Sequence, residues 1–227
     1  MIELFKHILH LDFEWLFSNY NTAVYLILFL VIFIETGLVV MPILPGDSLL
    51  FTAGLFANQL NATTGKPYLS LTYLLVLLLI AAVLGDTLNY WIGRKLGSKA
   101  VQLKFKGKNI VKPEYIQKTH EFYDKYGTKT IILARFVPIV RTFAPFVAGI
   151  AEMNYKKFFT FNIIGGFIWV FSLIFAGYFL GQFPWIRKNI ELVALGIIFI
   201  SVLPIVIEIV KAKRNPSLPP HRGGDVK

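Results

Sequence analysis

The sequence predicts an all-α integral membrane protein: an inverted repeat with two facing re-entrant helical hairpins, three full transmembrane helices and amphipathic interfacial helices. Three observations predict it. Of the 227 residues, 56% are hydrophobic and only 16% are charged, whereas a soluble domain carries about a quarter charged residues. The excess of Phe, Leu and Ile therefore needs lipid to cover it. A few charges stand inside otherwise apolar stretches that prolines interrupt. Finally, similar words recur in the two halves of the chain.

Residues 1–21 contain Glu3, Lys6, His7, His10, Asp12 and Glu14, which interrupt any apolar core of a secretory signal. Leu4, Phe5, Leu9, Phe13, Leu16 and Phe17 can instead form the lipid-facing stripe of an interfacial segment. Residues 24–58 read as the first hairpin. An apolar run carrying Glu35 meets Pro42, Pro45, Gly46 and Asp47, and the apolar stretch 48–57 is too short to span alone, because a full helical crossing takes about 20 apolar residues. Residues 68–93 meet that length as a transmembrane helix. The basic segment 94–129 follows. Pro113 and Glu114 open a helix there, with Tyr115, Thr119, Phe122 and Tyr126 at helical spacing and Gly127 at its end. Residues 130–152 read as the second hairpin, carrying Arg135, Pro138, Arg141, Pro145 and Gly149. Residues 158–183 and 190–210 are two further spans, and 212–227 form a basic tail predicted to be disordered.

Proline removes an amide donor and clashes with the preceding turn. A helix broken at membrane depth persists only when buried in protein or lining a wet cavity. Hence Pro42, Pro45, Gly46, Pro138, Pro145 and Gly149 are read as breakers of the two hairpins, with Gly46 and Gly149 also permitting close backbone approach.

Loop charges orient the chain. Residues 94–129 hold ten Lys and Arg against Glu114, Glu121 and Asp124, and the tail carries Lys211, Lys213, Arg214, Arg222 and Lys227 against Asp225. Both are expected to be cytoplasmic, with 58–67 outside. The net charge of +10 is thus a membrane-topology signal and not a nucleic-acid footprint. Arg187 and Lys188 lie outside in this arrangement, a mild exception.

The repeat is carried by Pro42-Ile43-Leu44 leading to Phe51-Thr52-Ala53-Gly54-Leu55, and Pro138-Ile139-Val140 leading to Phe146-Val147-Ala148-Gly149-Ile150. The following spans end in Tyr90-Trp91-Ile92-Gly93 and Tyr178-Phe179-Leu180-Gly181, at separations of 88 to 96 residues. Given the loop charges, the halves have opposite orientation. Inverted repeats whose broken helices meet at mid-membrane are a transporter pattern.

Glu35, Asp47, Asp86, Arg135 and Arg141 form the candidate site. A charge at the bilayer centre costs about 2.5–3.5 kcal/mol on insertion scales, so such a set implies partners or function. If the hairpins face each other, two acids meet two arginines. The bland reading is a structural salt-bridge network, but such networks are poor stabilisers compared with apolar side chains. In the functional reading, the arginine forks bind an anionic headgroup, exposed amides at broken helix ends add to that, and Glu35, Asp47 and Asp86 couple protons to it. Asn89 shares the helix face of Asp86. Arg94 reads as a positive-inside anchor, and Trp91, Trp169 and Trp185 as interface or packing aromatics.

The combination Glu35-Thr36-Gly37, Pro45-Gly46-Asp47, Gly85-Asp86, Gly93-Arg94 and Arg135-Phe136-Val137-Pro138-Ile139-Val140-Arg141 resembles the DedA family of bacterial inner-membrane proteins. That family is related to eukaryotic proteins with the VTT, or SNARE-associated, domain. The resemblance covers roughly residues 20–210. It implies facing re-entrant hairpins and lipid translocation, with family members implicated in returning undecaprenyl phosphate, in proton-motive-force-dependent physiology and in envelope stress resistance. Glu35, Asp47, Arg135 and Arg141 fall on the family's functionally required charges.

The expected function is therefore proton-linked translocation of an anionic lipid in a bacterial inner membrane. A proton-coupled antiporter for ions or small solutes and an uncoupled scramblase are the alternatives. No enzyme is expected. His7, His10, His120 and His221 all lie outside the apolar stretches, and no nucleophile, metal-ligand spacing or phosphate loop accompanies the acids. No cofactor and no metal are expected. The expected partners are membrane lipids and protons, no nucleic acid, and a homo-oligomer is left open.

Overall fold

The computed structural model describes residues 21–38, 46–60, 65, 67–102, 104–105, 108–109, 135, 138–189, 192–193 and 196. After a short 3-10 turn at Asn21–Ala23, helix α1 spans Val24–Gly37 and α2 spans Gly46–Asn58; α3 is Leu71–Gln102, α4 Pro138–Ile150, α5 Tyr155–Leu180 and α6 Pro184–Lys188. Apart from a two-residue antiparallel ladder pairing Lys104–Phe105 (β1) with Lys108–Asn109 (β2), the named elements are helical.

Lengths divide the helices into two kinds. The apolar parts of α3, Leu71–Leu96, and of α5, Tyr155–Leu180, are each 26 residues, about 39 Å at 1.5 Å per residue. They are long enough to cross a hydrocarbon core of about 30 Å. By contrast α1 has 14 residues and α2 and α4 have 13 each, about 20 Å, and none can cross alone. Both long helices begin and end a few residues away from the expected spans 68–93 and 158–183, and α3 continues into the segment expected to be a basic loop.

Each helix buries a face that its sequence marks. In α1 the buried stripe is Val24, Leu28, Ile32, Glu35 and Thr36, a helical repeat. The spacing that buries three aliphatics therefore also carries Glu35 inward. Helix α2 is buried on nearly every side, as expected of an interior helix. On α3 Tyr73, Val76, Ile80, Leu84 and Leu88 are exposed, and on α5 Phe159, Ile163, Phe167 and Phe179. These apolar rows on long helices are surfaces for lipid. Asn154 starts α5 by accepting hydrogen bonds from the Lys156 and Lys157 amides at 3.0 and 3.3 Å.

Cross-helix contacts give the directions. The Tyr25 hydroxyl accepts from the Ser70 amide at 2.6 Å, and Asn89 Nδ2 donates to Thr36 O at 3.1 Å, so α1 runs parallel to α3. Asn89 Nδ2 also donates to Thr142 O at 2.7 Å, and Gly149 packs on Tyr90 O and Arg94 N, so α4 runs parallel to α3. Asp47 meets Trp169 and Leu55 meets Gly181, so α2 runs parallel to α5. Asn162 Nδ2 donates to Val83 O at 3.1 Å and Gly166 faces Leu79, so α5 opposes α3. It follows that α1 and α2 are antiparallel.

The two halves pack with the same device. A Cβ at Gly54 would strike Ile174 O, and one at Gly177 would strike Phe51 O. Likewise a Cβ at Gly93 would strike Phe146 O, and one at Gly149 would strike Tyr90 O. Helices α2 and α4 thus each cross the long helix of the other half with backbones in contact, which small residues permit. This two-fold correspondence pairs Gly93 with Gly177, not with Gly181 as the sequence words suggest.

Two expected helix breakers are corrected. Pro145 lies inside α4, which continues through it; a proline removes one hydrogen bond of the ladder, and the reciprocal glycine packing on α3 holds the helix together. Gly149 is likewise helical and serves close packing. Pro138 is the first residue of α4, where its missing amide costs nothing. Gly46 opens α2 beyond Leu38, whose extended backbone ends α1. Pro42, Pro45, the interfacial segment 1–20, most of 103–134 and nearly all of the span 190–210 lie outside the described residues, as does the tail.

Candidate functional site

Where α1 ends, α2 and α4 begin. Asp86 lies about 22 Å from the start of the α3 span and about 15 Å from its end, and Trp169 holds the same middle position on α5. All five sequence-predicted charges converge on this level.

They form two clusters. In the first, Arg141 Nη2 donates to Glu35 Oε1 and Arg141 Nη1 donates to Asp47 Oδ1. Glu35 comes from the last turn of α1, Asp47 from the first turn of α2 and Arg141 from the first turn of α4. Trp169 Nε1 donates to the same Asp47 Oδ1 at 2.8 Å, and its ring lies 4.7 Å from the Arg141 guanidinium carbon, within cation–π range. In the second cluster, Arg135 Nη2 donates to Asp86 Oδ2 and to Asn162 Oδ1. Asn162 in turn reaches the α3 backbone at Val83. Arg135 also faces the Trp169 ring, at 6.0 Å.

The burial is deep. Glu35 is 1% exposed, Asp86 and Arg135 3%, and Arg141 6%, while the Asp47 side chain is 15% exposed. Glu35 Oε2, Arg135 Nε, Arg141 Nε and Asn89 Oδ1 are buried without a hydrogen-bond partner among the described residues. Unpaired polar atoms at such depth are costly, so the site holds unused hydrogen-bonding capacity. Glycines shape it. A Cβ at Gly46 would strike the Glu35 carboxylate, and one at Gly85 would strike the Thr36 hydroxyl.

Chemically, three carboxylates face two guanidiniums. Arg141 presents a planar fork whose terminal nitrogens are both engaged by carboxylates, the geometry that also suits phosphate.

Two members were not found from sequence. Trp169, read as an interface or packing aromatic, is 2% exposed and belongs to the site. Its place in the middle of a span, not at an end, was the available signal. Asn162 was a polar residue within an apolar run and carried the same signal. Trp91 and Trp185 are 42% and 62% exposed. Arg94 packs over Trp91 at 5.6 Å and donates to the Tyr90 hydroxyl at 3.1 Å.

Two helices long and apolar enough to cross a membrane, short interior helices and buried ion pairs fit a helical membrane protein. The VTT domain model matches residues 44–179. The chain is 51% identical to Protein DedA of Escherichia coli (strain K12) over 219 residues, covering 93% of this chain and 94% of the relative. It is 42% identical to the Uncharacterized membrane protein Rv0364 of Mycobacterium tuberculosis, covering 88% and 87%, and 33% identical to Inner membrane protein YqjA of Escherichia coli (strain K12), covering 76% and 75%. No solved structure matches the chain. The chain belongs to the DedA family of VTT-domain membrane proteins.

Proposed function

We propose that the protein is a transporter that moves an anionic lipid phosphate, of which undecaprenyl phosphate is the leading candidate, across a bacterial inner membrane in a proton-linked cycle. One observation carries the reading. Arg141, flanked by Glu35 and Asp47, sits at the middle of both long helices, where helices too short to cross the membrane meet. Discontinuous helices meeting at mid-membrane are where transporters bind substrate and coupling ion. Ionisable groups at that depth mark ion or substrate paths.

In this reading α1 and α2 form a re-entrant hairpin entered from outside, and α4 belongs to one entered from the cytoplasm. Residues 190–210 add a third span, and the C-terminus is cytoplasmic. Arg141 receives the phosphate, and the acids beside it exchange a proton as it arrives and leaves. The protein carries out no covalent chemistry. The lipid-facing rows on α3 and α5 favour a lipid over a small solute, because they let an acyl or polyprenyl chain stay in the bilayer while its headgroup crosses.

Purified protein in liposomes loaded with undecaprenyl phosphate tests this. Flipping should accelerate when a pH gradient is imposed. Flipping of undecaprenyl phosphate and neutral phospholipid alike, with no response to the gradient, identifies an uncoupled scramblase instead.

A further inference from the structure

We infer that an anionic headgroup enters the site by taking the place of the Asp47 carboxylate on Arg141, and that Trp169 is the positioning residue for this exchange. The inference rests on the anion-transport reading and specifies how its site works.

Both terminal nitrogens of Arg141 are held by carboxylates, Nη2 by Glu35 and Nη1 by Asp47, and its Nε is buried. The end of the fork is thus taken by acids, so a phosphate that pairs with both terminal nitrogens displaces a carboxylate. The two acids differ in how firmly they are held. Glu35 is boxed in against Gly46, where even a methyl group would collide with it. It stands on α1, which lies along α3, the same long helix that carries α4 and Arg141. Asp47 is the most exposed member of the cluster and stands on α2, which is packed on α5. The Arg141–Asp47 bond therefore joins the α2–α5 pair to the group of α1, α3 and α4, whereas Arg141–Glu35 lies within that group.

Trp169, on α5, is placed to manage the exchange. Its Nε1–H donates to the Asp47 oxygen that also accepts from Arg141, and its ring supports the Arg141 guanidinium. When Asp47 leaves Arg141 it keeps the indole donor, and Arg141 keeps the aromatic face beneath it. Among the described residues, the groups facing Asp47 include Arg141 from α4, Glu35 from α1 and Trp169 from α5, with Arg135 of the Arg135–Asp86 pair also near the indole ring. Among these the acids already outnumber the arginines by one. An arriving anion adds further negative charge in a low-dielectric interior. Asp47 therefore takes up one proton to become a carboxylic acid as the phosphate oxygens pair with Arg141, and it gives that proton back when the phosphate leaves. Proton and anion bind together.

The chain has four tryptophans, so Trp15→Phe, Trp91→Phe and Trp185→Phe together leave Trp169 as the sole reporter. Its emission is followed in nanodiscs while farnesyl monophosphate or inorganic phosphate is titrated, with calorimetry reporting binding independently. The expected results are an emission change that tracks binding, affinity that weakens with rising pH more steeply than the ligand's own second ionisation at about pH 6 accounts for, and binding roughly tenfold tighter in Asp47→Asn with only the ligand's own pH dependence left, as removal of a competing charged hydrogen bond implies. Tighter binding of farnesyl monophosphate assigns the anion to a lipid, and tighter binding of inorganic phosphate assigns it to a free ion; the exchange is supported on either arm when Asp47→Asn behaves as stated. Trp169→Phe, which keeps a ring and loses the donor, should shift the pH midpoint of binding measured by calorimetry; an unchanged midpoint with a lowered melting temperature reduces Trp169 to packing and overturns its role. Binding with silent Trp169 emission, or no tighter in a folded Asp47→Asn, overturns the exchange and leaves the anion-transport reading standing. Absence of calorimetric binding in both proteins overturns both.

Discussion

The two arginines sit at the same depth and share one tryptophan, yet their surroundings differ. Arg135 has one carboxylate, Asp86, and one neutral amide, Asn162; charge balances and every member is buried. Arg141 has two carboxylates from two helices, one of them partly exposed. A balanced, enclosed pair bridging α3 and α5 has the character of a clasp. An arginine with a surplus acid, bonded to one acid of its own helix group and one of the α2–α5 pair, has the character of a site whose partners change. The comparison teaches that buried charges of one kind at one depth need not share one role.

The largest expected effect breaks the clasp. Arg135→Ala leaves Asp86 buried and unpaired, and loss of one partner of a buried pair costs about 3–5 kcal/mol. The variant should fail to accumulate, or melt far below the wild type in detergent. Arg141→Lys should instead leave the melting temperature near the wild type while transport falls by at least roughly tenfold, because a lysine keeps the charge and loses the two-pronged fork. If Arg135→Ala proved stable and Arg141→Lys unfolded, the roles assigned to the two arginines would be reversed.

A smaller effect tests how the clusters are held. Gly54→Ala and Gly93→Ala place a methyl group on a backbone carbonyl of the crossing helix. Each should cost about 1–3 kcal/mol, the first by displacing Asp47 from Trp169 and the second by displacing Arg141 from Glu35. Gly196→Ala, where a Cβ meets nothing within 4 Å, is the control and should melt with the wild type. The two thermal shifts should be alike, since the crossings correspond by the two-fold packing.

Much of this was legible in the sequence because charge is conspicuous in apolar surroundings. Glu35, Asp47, Asp86, Arg135 and Arg141 stand out one by one, and the structure brings all of them together. The pairing was not legible. Sequence reasoning joined two acids to two arginines, whereas Arg135 takes Asp86, because partners depend on which helices run side by side. Trp169 and Asn162 were missed since a tryptophan suits lipid interfaces and an asparagine is only weakly polar; depth along the span separates these cases. Pro145 misled because its cost to a helix is a few kcal/mol, which close packing of α4 on α3 offsets. The repeat was visible in Gly54 and Gly149, but its third and fourth members required the crossings to show that Gly177, not Gly181, answers Gly93.

The most direct test of the central claim is lipid flipping in liposomes under an imposed pH gradient, with Glu35→Gln and Asp47→Asn measured beside the wild type and the melting temperature of each recorded. The account predicts that wild-type flipping responds to the gradient, and that Asp47→Asn folds, retains flipping and loses that response. Glu35→Gln, which weakens the fixed partner of Arg141, should lower stability more than Asp47→Asn does. A folded Asp47→Asn that keeps the full gradient response would contradict the account and move the proton to another group, with Asp86 the next to examine.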